Sequence, residues 1–303
     1  MKFNVQNKTL ISVAFEETEK AVDIIIPDDV EKIANSFFYD IFFKRPFILR
    51  MPSLSKKTSA GMINFFFASC ACNIHIPASV KEIDGGFYGK ENGRDIVVWD
   101  NIEEITVDEK NERYQAVGGC LVDWKEKRVL KGFGDNIVIP DGVEKIDEYA
   151  FNLCERAKEF VIPASVKEIG YMAFASTGAK KIKFLGVPER MEIGAFILNQ
   201  ALEEIVIPEN EKYAFVNGCL MDKQTGTVFS ATVNAQIPDG TKAITRGTFA
   251  CLMMKRDILV PDSVESVEKL AFGPIFGKKV LVKKGSSAIT ALKKAEVDYT
   301  EID

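Results

Sequence analysis

Few residues of this chain carry chemistry worth testing. Cys70, Cys72 and His75 lie within six positions of one another, and thiolates with an imidazole make a zinc site when four ligands converge. Here a fourth ligand would have to come from far along the chain, and His75 is the only histidine of 303 residues. Ordinary packing is therefore expected and no metal is assigned. The same scarcity weighs against a Ser-His nucleophile, because His75 falls in a strand-like apolar run with no Gly-x-Ser-x-Gly turn nearby. "SLSK" at 53–56 fits S-x-x-K without its companion motifs, and "GFGDN" at 132–136 lacks the third glycine and the helix of a dinucleotide site. Carboxylates are plentiful, but they recur once per repeat as solvated turns do. A carboxylate-pair hydrolase stays a remote alternative, and the expectation is no enzyme and no cofactor.

Bulk properties narrow the partners. A net charge of -5 with a pI near 5.3 offers no general attraction to nucleic acid or to anionic membrane. The opening "MKFNVQNKTLISVAFEETEK" has no unbroken apolar stretch, so neither a secretory signal nor a membrane span is expected there. Six cysteines at 70, 72, 120, 154, 219 and 251 are too thinly spread for a disulfide framework, and unpaired thiols suit the cytoplasm. Cys120 and Cys219 hold the same place in two similar segments, which predicts small fillers in equivalent buried slots.

What must position any functional group is a repeat. "IVIPDGVEKIDEYAF" from Ile137 is echoed by "FVIPASVKEIGYMAF" from Phe160, 23 residues on. Taking each Ile-Pro or Val-Pro as origin gives rungs at Pro27, Pro77, Pro140, Pro163, Pro188, Pro208, Pro238 and Pro261, with Asp108 in the same role and a weaker rung at Pro52. The residue before each strong origin is β-branched: Ile26, Ile76, Val107, Ile139, Ile162, Val187, Ile207, Ile237 and Val260. Three beyond come Val30, Val80, Val143, Val166 and Val264; six beyond come Ile33, Ile83, Ile146, Ile169, Ile244 and Val267. Eleven beyond is an aromatic, as in Phe38, Tyr88, Phe151, Phe174, Phe249 and Phe272. At Pro188 the unit looks compressed, with Phe196 only eight beyond, and between Asp40 and Asn64 the pattern erodes.

An "I-x-I" that ends in proline reads as a short strand, because proline supplies no donor to a ladder. The apolar spacing that follows suits a tight turn rather than a helix. Each unit is then one strand plus a compact return. So few apolar side chains cannot offset the entropy of ordering a whole unit, so coils must stack and cover one another.

These residues resemble the BspA-like leucine-rich repeats of bacterial proteins, whose signature I-x-I-P-x-x-V-x-x-I-x-x-x-A-F is matched best by the two segments quoted above and more loosely by "AQIPDGTKAITRGTF" and "ILVPDSVESVEKLAF". "IEEITVDEKNERYQAVGGCLVD" from Ile102 and "LEEIVIPENEKYAFVNGCLMD" from Leu202 resemble that family's hairpin-bearing long repeats. "VLVKKGSSAITALKKAEVDYTEI" resembles its terminal cap, with Ser286 or Ser287 as helix N-cap. The resemblance implies a leucine-rich-repeat solenoid, mainly β with short turns and a short C-terminal helix. It implies one repeat domain over 1–303: an N-terminal cap at 1–26, repeats at 27–272 with long ones near 108–139 and 208–237, and a cap at 273–303. It also implies secretion or surface attachment and a role in adhesion, which leaves the compartment open beside the unpaired cysteines.

Side chains alternate along a strand, so if positions one and three before each origin point inward, positions two and four point outward. The outward set predicts a mainly apolar stripe at Ile25, His75, Val138, Val161, Val206 and Leu259 beside a polar ridge at Asp23, Asn73, Glu104, Asn136, Glu159, Glu204 and Asp257. Stripe and ridge together form the candidate binding face for an unidentified protein or glycan; the alternative is a solvated strand surface whose β-branched residues merely suit strands. A second candidate is the cluster Phe37, Phe38, Phe42, Phe43, Phe47, Phe65, Phe66 and Phe67, either a wider local core, a covering loop or a partner surface. The functional expectation is a monomeric, non-enzymatic interaction module acting through its strand face; the alternative is a structural spacer that displays other components.

Overall fold

In the computed structural model of the protein the described residues are 2–14, 22–34, 37, 48–50, 66–68, 72–84, 89–91, 94–96, 98–99, 102–276 and 278–303. They form two compact units, Met1–Val138 and Ile139–Asp303. Both are built from one kind of coil. In the coil that begins at Glu159, the strand Glu159–Ile162 stops at Pro163, and a turn closes where the Val166 N–H donates to the Pro163 carbonyl at 3.1 Å. A two-residue strand, Glu168–Ile169, follows, and the return runs through Phe174 to the next strand, Lys181–Phe184. Phe160, Ile162, Val166, Ile169 and Phe174 all point into the core and are buried, so the one, three, six and eleven spacing is the geometry of a single turn of the coil.

Coils stack through parallel ladders. In the second unit Glu159–Ile162, Lys181–Phe184 and Glu204–Val206 pair in that order, and the two-residue strands Lys145–Ile146, Glu168–Ile169 and Arg190–Met191 form a second ladder. A third runs through Ile258–Val260, Val280–Lys283 and Thr300–Ile302. In the first unit Val22–Ile25, Cys72–Ile76 and Ile102–Val107 form one ladder; Thr9–Ala14, Lys32–Ile33 and Glu82–Ile83 form the other. An N-terminal hairpin, Lys2–Gln6 with Thr9–Ala14, opens the first unit. The C-terminal end is strand, turn, helix Ala288–Lys294 and strand. Ser287 stands at the N-cap position but donates its hydroxyl to the Asp262 carbonyl; Ser286 Oγ accepts from the Ala288 N–H.

Stacking puts like residues above like. Phe151, Phe174 and Phe196 lie face over face at centroid distances of 5.0 and 5.3 Å, and Phe249 lies over Phe272 at 5.2 Å. Those separations follow from strands spaced about 4.8 Å apart. The position nine beyond the origin has positive φ in five coils, at Tyr149, Met172, Gly194, Gly247 and Leu270. Only two of the five are glycine. Three side chains therefore tolerate a left-handed backbone that costs on the order of 1 kcal/mol because burial holds them there.

One origin needs correcting. Ladder pairing sets Ile162 beside Phe184, not Val187, and Val187 is 37% exposed. The coil therefore starts from Leu185. From there Met191 falls six beyond and Phe196 eleven beyond, both buried, and the apparent compression disappears. Stacking requires only that the strand end; it does not require proline, and Pro188 lies later in the turn. Ile207 and Val107, placed in the inward column, are half-buried. Of the Phe-rich cluster, Phe37 is fully buried and Phe66 and Phe67 belong to the strand Phe66–Ala68. Phe38, Phe42, Phe43, Phe47 and Phe65 lie outside the described residues, as do Tyr88, Cys70 and Pro52.

The long repeats carry hairpins, as expected. Tyr114–Val117, Cys120–Asp123 and Arg128–Gly132 are antiparallel neighbours, and so are Tyr213–Val216, Cys219–Asp222 and Thr227–Ala231. Two-residue turns with positive φ, Gly118–Gly119 and Asn217–Gly218, join the first two strands of each. Cys120 and Cys219 are fully buried beside these turns, and burial pushes the Cys219 thiol up to about 12. Each hairpin repairs a ladder that it interrupts. The Tyr114 hydroxyl accepts the Ile83 N–H at 2.9 Å and the Tyr213 hydroxyl accepts the Met191 N–H at 3.3 Å, in both cases on the last short strand of a parallel ladder. Asn111 and Asn210 hold the approach to each tyrosine, accepting from the Arg113 and Tyr114 N–H and from the Lys212 and Tyr213 N–H.

Three outcomes follow. Phe174→Ala, at the middle of the stack, should cost about 3–5 kcal/mol in urea unfolding; a cost below about 1 kcal/mol would show that the stack adds little. At Gly178 a Cβ would lie 1.7 Å from the Glu155 carbonyl oxygen, so Gly178→Ala should cost about 1–3 kcal/mol by forcing two coils apart. Tyr114→Phe leaves the Ile83 N–H without its acceptor and should cost about 1–3 kcal/mol. Burial also raises the Tyr114 phenol to about 12, so its contribution is full below its ordinary pKa of about 10 and fades as the pH rises toward 12. The gap between wild type and Tyr114→Phe should narrow across that window.

Candidate functional site

The alternation that buries one face of each strand frees the other. In the first unit Ile25, His75 and Thr106 stand side by side across three strands, as do Asp23, Asn73 and Glu104. Ile25 is 64% exposed and His75 is half-buried. Neighbours across the ladder bond to one another: Asn73 Nδ2 donates to Asp23 Oδ1 at 2.9 Å, and His75 Nδ1 lies 2.9 Å from Thr106 Oγ1. The one histidine is thus engaged on an outward strand face. Asn136 and Val138 are exposed but belong to no strand; the Val138 N–H donates to the Gly118 carbonyl at the hairpin turn instead.

In the second unit Glu159 and Val161 face outward on the first strand, Glu204 and Val206 on the third. Lys181 and Lys183 face outward between them. Counted from Pro188, the outward positions fall on Phe184 and Gly186, which hides both lysines. Counting from Leu185 would have found them. Lys181 Nζ lies 2.8 Å from Glu204 Oε2, and the hydrogen bond to Glu204, then the charges of Glu204 and Glu159, raise the Lys181 ammonium pKa. Here the ridge is therefore Glu–Lys–Glu rather than only Asp, Glu and Asn, and the stripe is Val161–Lys183–Val206. Like charges directly opposite would repel; the lysine removes that cost. Farther on, Leu259 lies beside Leu281, both half-buried, with Asp257 exposed at the strand entry; Asp257 accepts the Lys279 N–H at 2.9 Å.

The candidate residues thus fall into three separate ladders, with Asn136 and Val138 outside them all. All stand outward or half-exposed, and none converges on another as acid and base. Several polar groups buried in the second unit bond the backbone, and buried Asp147 lies 3.5 Å from the Lys145 ammonium. Asn199 donates to the Phe174 and Phe196 carbonyls at 2.8 Å each while its Oδ1 accepts the Thr177 N–H and hydroxyl. Thr248 donates to the Thr245 carbonyl, and Ser230 to that of Phe196.

A family model described as a BspA type leucine rich repeat region matches residues 1–109 and 134–226 in 6 copies, about two thirds of the chain. Comparison with curated proteins finds no match. Among solved structures the chain is similar to a leucine rich cell surface protein from Faecalibacterium prausnitzii A2-165, at 17% identity over 92% of this chain and 73% of that one, with a TM-score of 0.49. A leucine-rich repeat protein from Eubacterium ventriosum ATCC 27560 is similar at 17% identity over 84% of this chain, TM-score 0.43, and this chain spans only 64% of its length. The pneumococcal vaccine antigen PcpA is similar at 18% identity over 93% of this chain and 67% of that one, TM-score 0.46. With six copies of the family's repeat along it, the chain belongs to the BspA-type leucine-rich repeat family.

Proposed function

We propose that this chain is a non-enzymatic interaction module that holds a protein, or a glycan, against the outward faces of its parallel ladders, in an adhesive role. The observation that carries the reading is the column Val161–Lys183–Val206. Two aliphatic side chains flank an exposed ammonium, and Val161 is 43% exposed. The coil's interior uses none of the three. A surface that offers apolar area beside a charge suits recognition, and extended sheet surfaces are what stacked repeats present to partners. The internal commitment of Asn199, Thr177, Thr248 and Ser230 supports a scaffold role for the buried polar groups over a catalytic one.

The test compares the immobilised chain with a Val161→Asp/Lys183→Glu double variant against a glycan array and an extract of surface proteins. Retention of a specific ligand should fall about tenfold or more in the variant. Equal retention by both would remove this face from consideration, and a chain that retains nothing would be a spacer.

A further inference from the structure

A groove of about 480 Å³ opens in the second unit between the strand Glu204–Val206 and the hairpin strand Tyr213–Val216, lined in part by Ile207, Pro208 and Phe215. Both walls are sheet edges. Glu204–Val206 is the last strand of its parallel ladder, and Tyr213–Val216 is the outermost strand of the hairpin sheet. The following coil does not continue the ladder: at Asn234–Ile237 the chain is not a strand, and the Gln236 N–H donates to the Asn217 carbonyl instead. Among the described residues no backbone hydrogen bond joins the two walls. An exposed strand edge presents a row of donors and acceptors suited to another extended chain, and here two such edges flank one trough.

The charges around it are unequal. Glu204 is paired with Lys181, and Lys223 Nζ donates to the Asn210 carbonyl at 2.7 Å. Glu209, exposed at the groove's lip, takes part in no hydrogen bond or ion pair.

We infer that this groove takes up an extended polypeptide segment by strand addition, with an apolar side chain over Phe215 and Pro208 and a basic side chain against Glu209. Main-chain hydrogen bonds to the edges supply affinity, and the apolar lining with the unpaired carboxylate supplies selectivity. The site uses strand edges where the proposed binding face uses strand faces, so it does not rest on that reading, although Glu204 and Val206 border both. The first hairpin supplies a control from within the same chain. There Gln115 and Trp124 occupy the places of Ala214 and Lys223, and the Trp124 indole N–H donates to Gln115 Oε1 at 2.8 Å. Grafting that pair as Ala214→Gln/Lys223→Trp fills the groove with side chains this hairpin type already accommodates.

The experiment pans random phage-displayed dodecapeptides on the whole chain and counter-pans on the graft, whose urea midpoint is checked against wild type. Enriched peptides should carry alternating β-branched residues and a Lys or Arg. Made synthetically, they should lose about tenfold in affinity on the graft and again when alternate backbone amides are N-methylated, and Glu209→Lys should weaken them by about fivefold. Val161→Asp/Lys183→Glu should leave their affinity unchanged, which separates this site from the strand face. Failure to enrich any peptide, enrichment of acidic peptides, or binding indifferent to both the graft and N-methylation would overturn the inference.

Discussion

The hydrogen-bond ladder between successive coils is the constraint from which the rest follows. Parallel strands lie about 4.8 Å apart, so each residue of a coil meets its counterpart in the next at that spacing. This is why the same side chains recur at the same places, and why the interior is a set of columns. Phe151, Phe174 and Phe196 stack because flat rings fill such a spacing without gaps. Gly178 is glycine because the Glu155 carbonyl passes too close for a Cβ. The interior asparagines and threonines sit where a coil's backbone leaves carbonyls and N–H groups that the ladder does not reach, and they supply the missing partners.

The same spacing governs the surface. Charges in a column face one another closely, and many neighbours are opposite in sign: Lys8 with Glu31, Glu31 with Lys81, Glu144 with Lys167, Lys242 with Glu265. Each pair is exposed and contributes little by itself. Together they favour one neighbour order over a slipped one, because a shift by one coil would bring like charges together. The Glu159–Lys181–Glu204 column obeys the same rule, so its alternation is a condition of stacking. The unpaired ammonium of that face is Lys183, two residues farther along the strand, and the proposed binding face is built around it.

Where a ladder stops, its groups need another partner. The two long repeats meet this need on one side with a tyrosine hydroxyl that stands in for the absent coil's carbonyl. On the other side, at Glu204–Val206, the edge stays open beside the edge of the hairpin. Interrupting a repeat therefore both closes one ladder and exposes another. A regular stack offers only faces; an interrupted one also offers edges, and an open edge can take a strand from elsewhere.

The amino-acid sequence by itself determined the coil and its inward columns, since each depends on which residues are apolar, β-branched, proline or glycine within one turn of chain. Those are local properties, and stacking repeats them. The hairpin-bearing long repeats and the terminal helix were legible through the family resemblance. The outward candidates counted from Pro27, Pro77, Pro163, Pro208 and Pro261 are exposed or half-buried. The tertiary structure alone decided the register at Leu185, because the constraint there is pairing with Ile162 in the neighbouring coil and no proline records it. That one register brought Lys181 and Lys183 into the face and put a cation into the expected ridge of Asp, Glu and Asn. The tyrosine acceptors and the groove between two edges were likewise beyond sequence reading: each tyrosine reaches an N–H 31 or 22 positions away, both features lie where a ladder ends, and where a ladder ends is a property of the stack.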